Sequence, residues 1–228
     1  MTIERPAVAK ISRLSQRSPT LMESVYQDIL SRLQRGEIKQ GERILDNDVA
    51  REFECTRTPV RHALLRLVNE GYLVGTTRGF VIPEWTAQDV RDIFEVRRLL
   101  EPGAAASVAL ILSAEQLESM AASYRSCRRG AEKQDVPLIT EANIKFRSIW
   151  LDTVPNPRLK QEILRYSDHA QLVRRSTMPN PATMLAVADG MQLLLAGYSE
   201  RDPAQVRDAM EAFVAHAERA YFQSIESE

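Results

Sequence analysis

The chain has 228 residues, of which 44% are hydrophobic and 27% charged, and its formal net charge at pH 7 is −1. That length leaves room for one large or two modest domains, and the composition excludes a disordered or fibrous protein. Bulk charge carries no argument for a nucleic-acid partner: residues 1–85 hold 13 Lys and Arg against 11 Asp and Glu, and residues 86–228 hold 17 against 20. A claim of that kind has to rest on local motifs.

Residues 1–19 mix scattered charge with serine and read as a flexible arm, in which Arg5, Lys10, Arg13 and Arg17 could reach phosphate but a solvated tail is the simpler expectation. They lack the apolar core of a signal peptide, and no apolar run in the chain approaches membrane-spanning length. The expectation is therefore a cytoplasmic protein with no membrane partner. Thr20 can cap a helix whose apolar stripe is Leu21, Val25, Ile29, Leu30 and Leu33 and which Gly36 ends.

Leu45, Val49, Ala50 and Phe53 then recur at helical spacing, with Asp46 or Asn47 where an N-cap belongs. Glu54-Cys55-Thr56 interrupts the pattern. Thr56 or Thr58 can cap the next helix, Pro59 falls in its first turn, and Val60, Ala63, Leu64 and Leu67 form its buried stripe. Arg57, Arg61, His62 and Arg66 are left on other faces, and Gly71 ends the helix. Tyr72–Val74 and Phe80–Pro83 read as two short strands around the tight turn Thr76-Thr77-Arg78-Gly79. Helix, turn, basic helix and basic hairpin outline a winged helix-turn-helix over residues 20–84, whose second helix would enter the DNA major groove. Arg57 and Arg61 lie four apart at the N-terminal end of that helix, the end that meets base edges, and arginine has the fork for bidentate contact with guanine.

The stretch Arg57-Thr-Pro-Val-Arg-His-Ala-Leu-Leu-Arg-Leu-Val-Asn-Glu-Gly-Tyr-Leu73, preceded by Gly36-Glu-Ile-Lys-Gln-Gly-Glu-Arg-Ile-Leu45, resembles the DNA-binding domain of GntR-type bacterial transcription regulators. The resemblance implies that Arg57 and Arg61 read an operator, with Thr58 and His62 beside them. It implies that Arg66 touches phosphate or a base edge, and that Arg78 and Gly79 bring the wing to the minor groove. Asn47 stands where the family often has a backbone-contacting basic residue. Glu54 replaces the usual turn glycine, at a cost of about 1 kcal/mol if it is left-handed, and His62 replaces a common glutamate. The paired cysteine count shows no metal or redox spacing: Cys55 and Cys127 are not expected to join, and Cys55 reads as a small core residue.

Beyond Glu84-Trp85-Thr86 the pattern is helical. Segments are expected from Ala87 to about Leu112, from Ser113 (with Glu115) to about Lys133, and from Pro137 to Thr153. Three more run from Arg158 to about Ser176, from Ala182 to Ser199, and from Pro203, capped by Asp202, to about Ser224. The breaks Val154-Pro-Asn-Pro157 and Met178-Pro-Asn-Pro181 separate three of them. Broad stripes such as Ile93, Val96, Leu99 and Leu100, or Met191, Leu194 and Leu195, make residues 85–228 an all-helical bundle of about six helices. The fold class is thus mainly α: a winged helix-turn-helix followed by a helical bundle.

Phe94-Glu-Val-Arg-Arg-Leu-Leu-Glu101, Asn156-Pro-Arg-Leu159 and Ala209-Met210 resemble the FCD ligand-binding domain of the FadR subfamily, and six helices rather than seven suit its VanR-like branch. Many such domains hold a divalent metal between an Asp, a His four residues later and two further His. By resemblance those four positions fall on Asn143, Arg147, Gly190 and Phe213, none of them a good transition-metal ligand, so no metal cofactor is expected. The alternative is a displaced site using Asp189 and His216, or His169. Arg147 would instead point into the bundle and bind the carboxylate or phosphate of an organic effector, with Arg97 and Asn143 assisting. The competing reading of the same residues is internal pairing, Arg147 with Asp189 or Arg97 with Glu101.

The sequence therefore points to a homodimer on double-stranded operator DNA, a repressor whose affinity is modulated by a small organic acid. The rivals are a ligand-independent DNA-binding protein and an enzyme using the bundle as a pocket. For the enzyme, no acid–base pair, nucleophile–His pair or phosphate-binding glycine loop is found.

Overall fold

The computed structural model describes residues 20–38, 41–174 and 180–226. The arm at 1–19 and the segment around Met178 lie outside the described residues. The chain divides into two compact units at Pro83 and Glu84, one residue from the expected boundary.

In the first unit, α1 (Leu21–Arg35) starts at Thr20, whose hydroxyl accepts from the Glu23 amide, and stops at Gly36, which is left-handed at φ 69°. Its buried stripe is Val25, Tyr26, Ile29, Leu30 and Leu33. Leu21, expected in that stripe, is exposed, and Tyr26 takes the buried role. A two-residue strand β1 (Arg43–Ile44) precedes α2 (Asp46–Glu52) and α3 (Arg57–Asn69). Neither helix has a side-chain cap. Leu45 holds the N-cap of α2, so Asp46 and Asn47 are already helical. Thr56 holds the N-cap of α3 but makes no capping bond. Glu54 in the turn is left-handed at φ 48°, and the cost expected from the sequence applies. Val60, Ala63, Leu64 and Leu67 of α3 are buried as their spacing requires.

The wing is a three-stranded antiparallel sheet in the order β1-β3-β2, with β2 at Val74–Thr76 and β3 at Gly79–Val81. Both hairpin strands are displaced from the expected ranges. Tyr72 and Leu73 are core residues, 2% and 1% exposed, and pairing begins only where the chain leaves the core, at Val74↔Val81. The third strand, pairing Ile44 with Phe80, is too short to show alternation in sequence. It also explains Gly79. A Cβ there would sit 2.8 Å from the Ile44 carbonyl oxygen and 2.8 Å from a Leu45 methyl. Gly79, with φ of 121°, therefore lets the sheet close on itself, a demand separate from the groove approach expected of it.

The second unit consists of α4 (Ala87–Val108), α5 (Ala114–Lys133), α6 (Val136–Thr153), α7 (Pro157–Arg174), α8 (Pro181–Ser199) and α9 (Pro203–Glu226). One local rule starts most of these helices: a polar cap followed at once or nearly so by proline, whose missing N–H costs nothing in a first turn. Asp135 accepts from Leu138, Asn156 from Arg158 and Leu159, Asn180 from Ala182, and Asp202 from Ala204 and Gln205. The first two helices use capping boxes instead, Thr86 with Asp89 and Ser113 with Gln116 rather than Glu115. Helix α4 stops at Val108, short of Leu112, and runs through Pro102. Helix α4 packs on α9 and α7, α5 on α6 and α8, and α8 on α9. Between them lie Phe94, Met120, Phe146, Trp150, Met191, Leu194, Tyr198, Met210 and Val214. Leu99, expected in the α4 stripe, is 74% exposed, and the buried positions of that turn are Arg97 and Glu101. Cys55 is half-buried rather than core, Cys127 is buried, and both are free thiols. No described helix is long and apolar enough to cross a membrane.

Glu54 gives the first prediction. Glu54→Gly removes the left-handed strain and should stabilise the first unit by about 1 kcal/mol, read as slower hydrogen exchange of α2 and α3 amides.

Candidate functional site

Two sites stand out, one in each unit. In the first, the N-terminal turns of α3 present Arg57, Thr58, Arg61 and His62 to solvent, so the basic residues share the exposed side while the apolar stripe faces α1. Arg57 and Arg61 are not free rotors. Arg57 Nη2 donates to both oxygens of Asp46 at 3.1 and 3.0 Å, and Arg61 Nη1 donates to Oδ2 at 3.4 Å. Asp46 is the residue that sequence reasoning misassigned, as a helix cap; nothing in the pattern links it to arginines eleven and fifteen residues on. Asn47 is exposed on α2, and Arg78 is exposed at the wing turn, where its amide donates to Thr76 Oγ1.

Arg66 is held in a cluster within the first unit. Its guanidinium donates to Glu23 at 2.7 Å and to Glu70 at 3.0 Å and lies over the Tyr26 ring, 3.8 Å from its centroid. Tyr26 in turn donates to Glu70. The cluster ties α1 to α3 and fixes the base on which the exposed arginines stand.

In the second unit, Glu101 is completely buried and accepts from two arginines. Arg97 Nε donates to it at 2.6 Å and Arg147 Nη1 at 3.1 Å. Arg97 and Glu101 are both 0% exposed. Arg147 also donates to Ser167 on α7. Burial alone would raise the Glu101 carboxyl; the charges of Arg147 and Arg97 and their hydrogen bonds outweigh it and hold the group down to about 2. Both internal pairings weighed from sequence are thus decided. Arg97 does pair with Glu101, whereas Arg147 pairs with Glu101 and not with Asp189, which is exposed and takes Arg128 at 2.8 Å.

The cluster is not balanced. Among the described residues, two guanidiniums face one carboxylate, and Arg97 Nη1, Arg147 Nε and the Tyr198 hydroxyl are buried without a hydrogen-bond partner. Burial raises the Tyr198 phenol far above its ordinary range, with Arg147 opposing, so it stays protonated and can donate. Ser167 and Tyr198 carried no sequence signal, since neither shares a helix with the arginines.

Beside Arg147 is a cavity of about 10 Å³ lined by Asn143, Phe146, Trp150, Met191, Leu194, Met210 and Phe213, room for about one water molecule. It is small because Phe213 fills the space that Gly190 leaves: a Cβ on Gly190 would fall 2.2 Å from the Phe213 ring. The four positions where the resemblance puts a metal therefore hold an amide, an ion-paired cation, an absent side chain and the aromatic ring packed into it. These residues do not fit a divalent ion. Among the described residues no three His, Cys, Asp or Glu are grouped to hold one elsewhere. His169 packs against Trp85 in a tilted contact and against Tyr166 edge-on, at centroid distances of 5.3 and 6.0 Å. His216 is half-buried, its pKa lowered by burial and by Arg219.

Residues 92–216 match the model of the FCD domain, and residues 21–80 match that of bacterial regulatory proteins of the gntR family. The chain belongs to the GntR family and carries an FCD domain. Among its relatives are the uncharacterized HTH-type transcriptional regulator YdhC of Bacillus subtilis, 29% identical over 63% of this chain and 65% of that protein, and the HTH-type transcriptional regulator McbR of Escherichia coli, 29% identical over 62% of each. The gluconate operon transcriptional repressor of B. subtilis is 34% identical over 34% of this chain and 32% of its own length. The matched stretch thus spans just under two thirds of YdhC and McbR. The solved structure of E. coli McbR/YncC superposes with a TM-score of 0.78 at 25% identity, covering 90% of this chain and 99% of that one.

The buried triad makes a pH prediction. The Glu101 pKa lies below its ordinary value of 4.5, so its contribution to stability is complete above that value and is lost as pH falls through about 2. The wild type's resistance to urea should weaken over that window. Glu101→Gln, which strands two guanidiniums, should lose about 3–5 kcal/mol at pH 7 and show a flatter dependence below pH 4.5.

Proposed function

We propose that this GntR protein is a homodimeric, cytoplasmic repressor that binds a short, near-palindromic operator through α3 and is released by a small organic acid bound in the helical unit without a metal. The observation that carries the DNA reading is the pair Arg57 and Arg61, exposed on the N-terminal turns of α3, where this motif meets base edges. Thr58 and His62 extend that surface, and Asn47, Arg78 and the wing around Gly79 add backbone contacts. Overall charge is nearly neutral, so affinity has to come from two half-sites read together. The gluconate relative, itself named as a repressor, supports that sign of regulation.

The effector reading rests on the unbalanced triad. Among the described residues, two guanidiniums and one carboxylate leave one positive charge in this cluster, with unpaired donors on Arg97, Arg147 and Tyr198. A monoanionic carboxylate neutralises that charge and satisfies those donors, at a site where buried unpaired polar groups are costly. Asn143 supplies an amide beside it, and the apolar walls suit a short carbon skeleton. The cavity has to grow to admit the ligand, and Phe213 against Gly190 is the contact that must yield. A ligand that prefers the form unable to engage DNA lowers operator affinity by its differential affinity for the two forms.

Two measurements test this reading. Sequence selection from a random duplex pool followed by footprinting should yield one short dyad-symmetric site, and Arg57→Ala or Arg61→Ala should weaken binding to it by about 1–3 kcal/mol; uniform coating of any duplex would refute the specific-regulator reading. Native mass spectrometry of the freshly purified protein should show a metal-free dimer carrying an organic acid, and Arg147→Ala should abolish co-purification. A stoichiometric divalent metal would refute the metal-free site.

A further inference from the structure

One carboxylate lies between the two arginines assigned to the bases. Asp46 opens α2 and its side chain is 13% exposed, whereas Arg57 and Arg61 are 58% and 59% exposed. The carboxylate is not consumed as a helix cap, since Leu45 occupies that position. It accepts from Arg57 on both oxygens and from Arg61 on one. Burial works against its charge, but the hydrogen bonds and charges of Arg57 and Arg61 outweigh that and keep it ionised. Its partners are both long, flexible side chains that would otherwise have to be ordered as DNA binds.

Resting on the DNA-binding reading above, we propose that Asp46 is a positioning residue that sets the sequence discrimination of α3. It acts in two ways, in the same direction. It holds the two guanidinium forks in a fixed relation, so that less freedom is lost when they meet base edges. It also cancels one of their two charges, so that random phosphate competes less well for them. Affinity for arbitrary DNA is lowered while the matched site keeps its geometry. Asp48 is a natural control: it carries the same charge on the same helix, but its ion pair, at 3.4 Å, is with Arg51 and not with α3.

The test uses the full chain, the duplex that the wild type enriches from a random pool, and a shuffled duplex of equal composition, each titrated over a salt series. Asp46→Ala should bind the shuffled duplex more tightly, with a log–log salt slope steeper by about 0.9, and should lower the selected-to-shuffled affinity ratio about tenfold. Asp46→Glu should restore most of the ratio, and Asp48→Ala should leave it unchanged. Should Asp46→Ala fail to fold by circular dichroism, Asp46→Asn keeps the shape and carries the same expectation. A ratio for Asp46→Ala within about twofold of wild type, or an equal loss in Asp48→Ala, overturns the inference while leaving the DNA reading intact. A wild type that enriches no site overturns that reading and the inference with it.

Discussion

The carboxylate of Glu101 is the group on which the helical unit depends. It is a full turn from Arg97 on α4, it reaches Arg147 on α6, and through Arg147 it is connected to Ser167 on α7. Three helices therefore meet on one buried negative charge. An ion pair so placed brings little net stability compared with apolar packing, because both partners have lost their water. What it brings is a requirement. With the carboxylate present, the two cations are tolerated; without it, the centre of the bundle holds unpaired charge. The excess of one cation that remains is the feature on which the proposed anionic ligand rests.

The same arithmetic, one carboxylate to two arginines, recurs in the first unit with the opposite physical setting. Asp46 sits at the surface, and Arg57 and Arg61 are more than half exposed. There the ion pairs are weak and salt-screened, so their consequence lies in orientation and in local charge rather than in stability. Arg66 stands between the two cases: it is half-buried, paired with two glutamates and stacked on Tyr26, and it joins α1 to α3. Three arginines of one helix thus have two kinds of task, decided by which way each faces.

The packing of Phe213 against Gly190 closes the space beside Arg147. A buried hole there would forfeit dispersion contacts on every wall. A ring from the next helix occupies it here, so closely that no Cβ fits on Gly190. The outcome is a nearly closed cavity beside a cation.

Much of this protein was determined by sequence alone. Helix identity and most boundaries were legible because their causes are local: apolar residues at helical spacing, the proline breaks ending at Pro157 and Pro181, and the cap at Asp202. The exposed arginines of α3 were legible because the buried stripe Val60, Ala63, Leu64 and Leu67 leaves them only the other face. Tertiary structure decided whatever depends on partners far apart in the chain. The strand β1 exists only because β3 is beside it, and Gly79 is needed only because Ile44 crosses it. Leu99 lost its expected place in the α4 stripe to Arg97 and Glu101, because a buried carboxylate makes burial of a guanidinium tolerable, which no hydrophobic pattern records. Asp46 and Tyr198 acquired their roles the same way: hydrogen bonding and charge act through space, at distances that residue spacing does not encode.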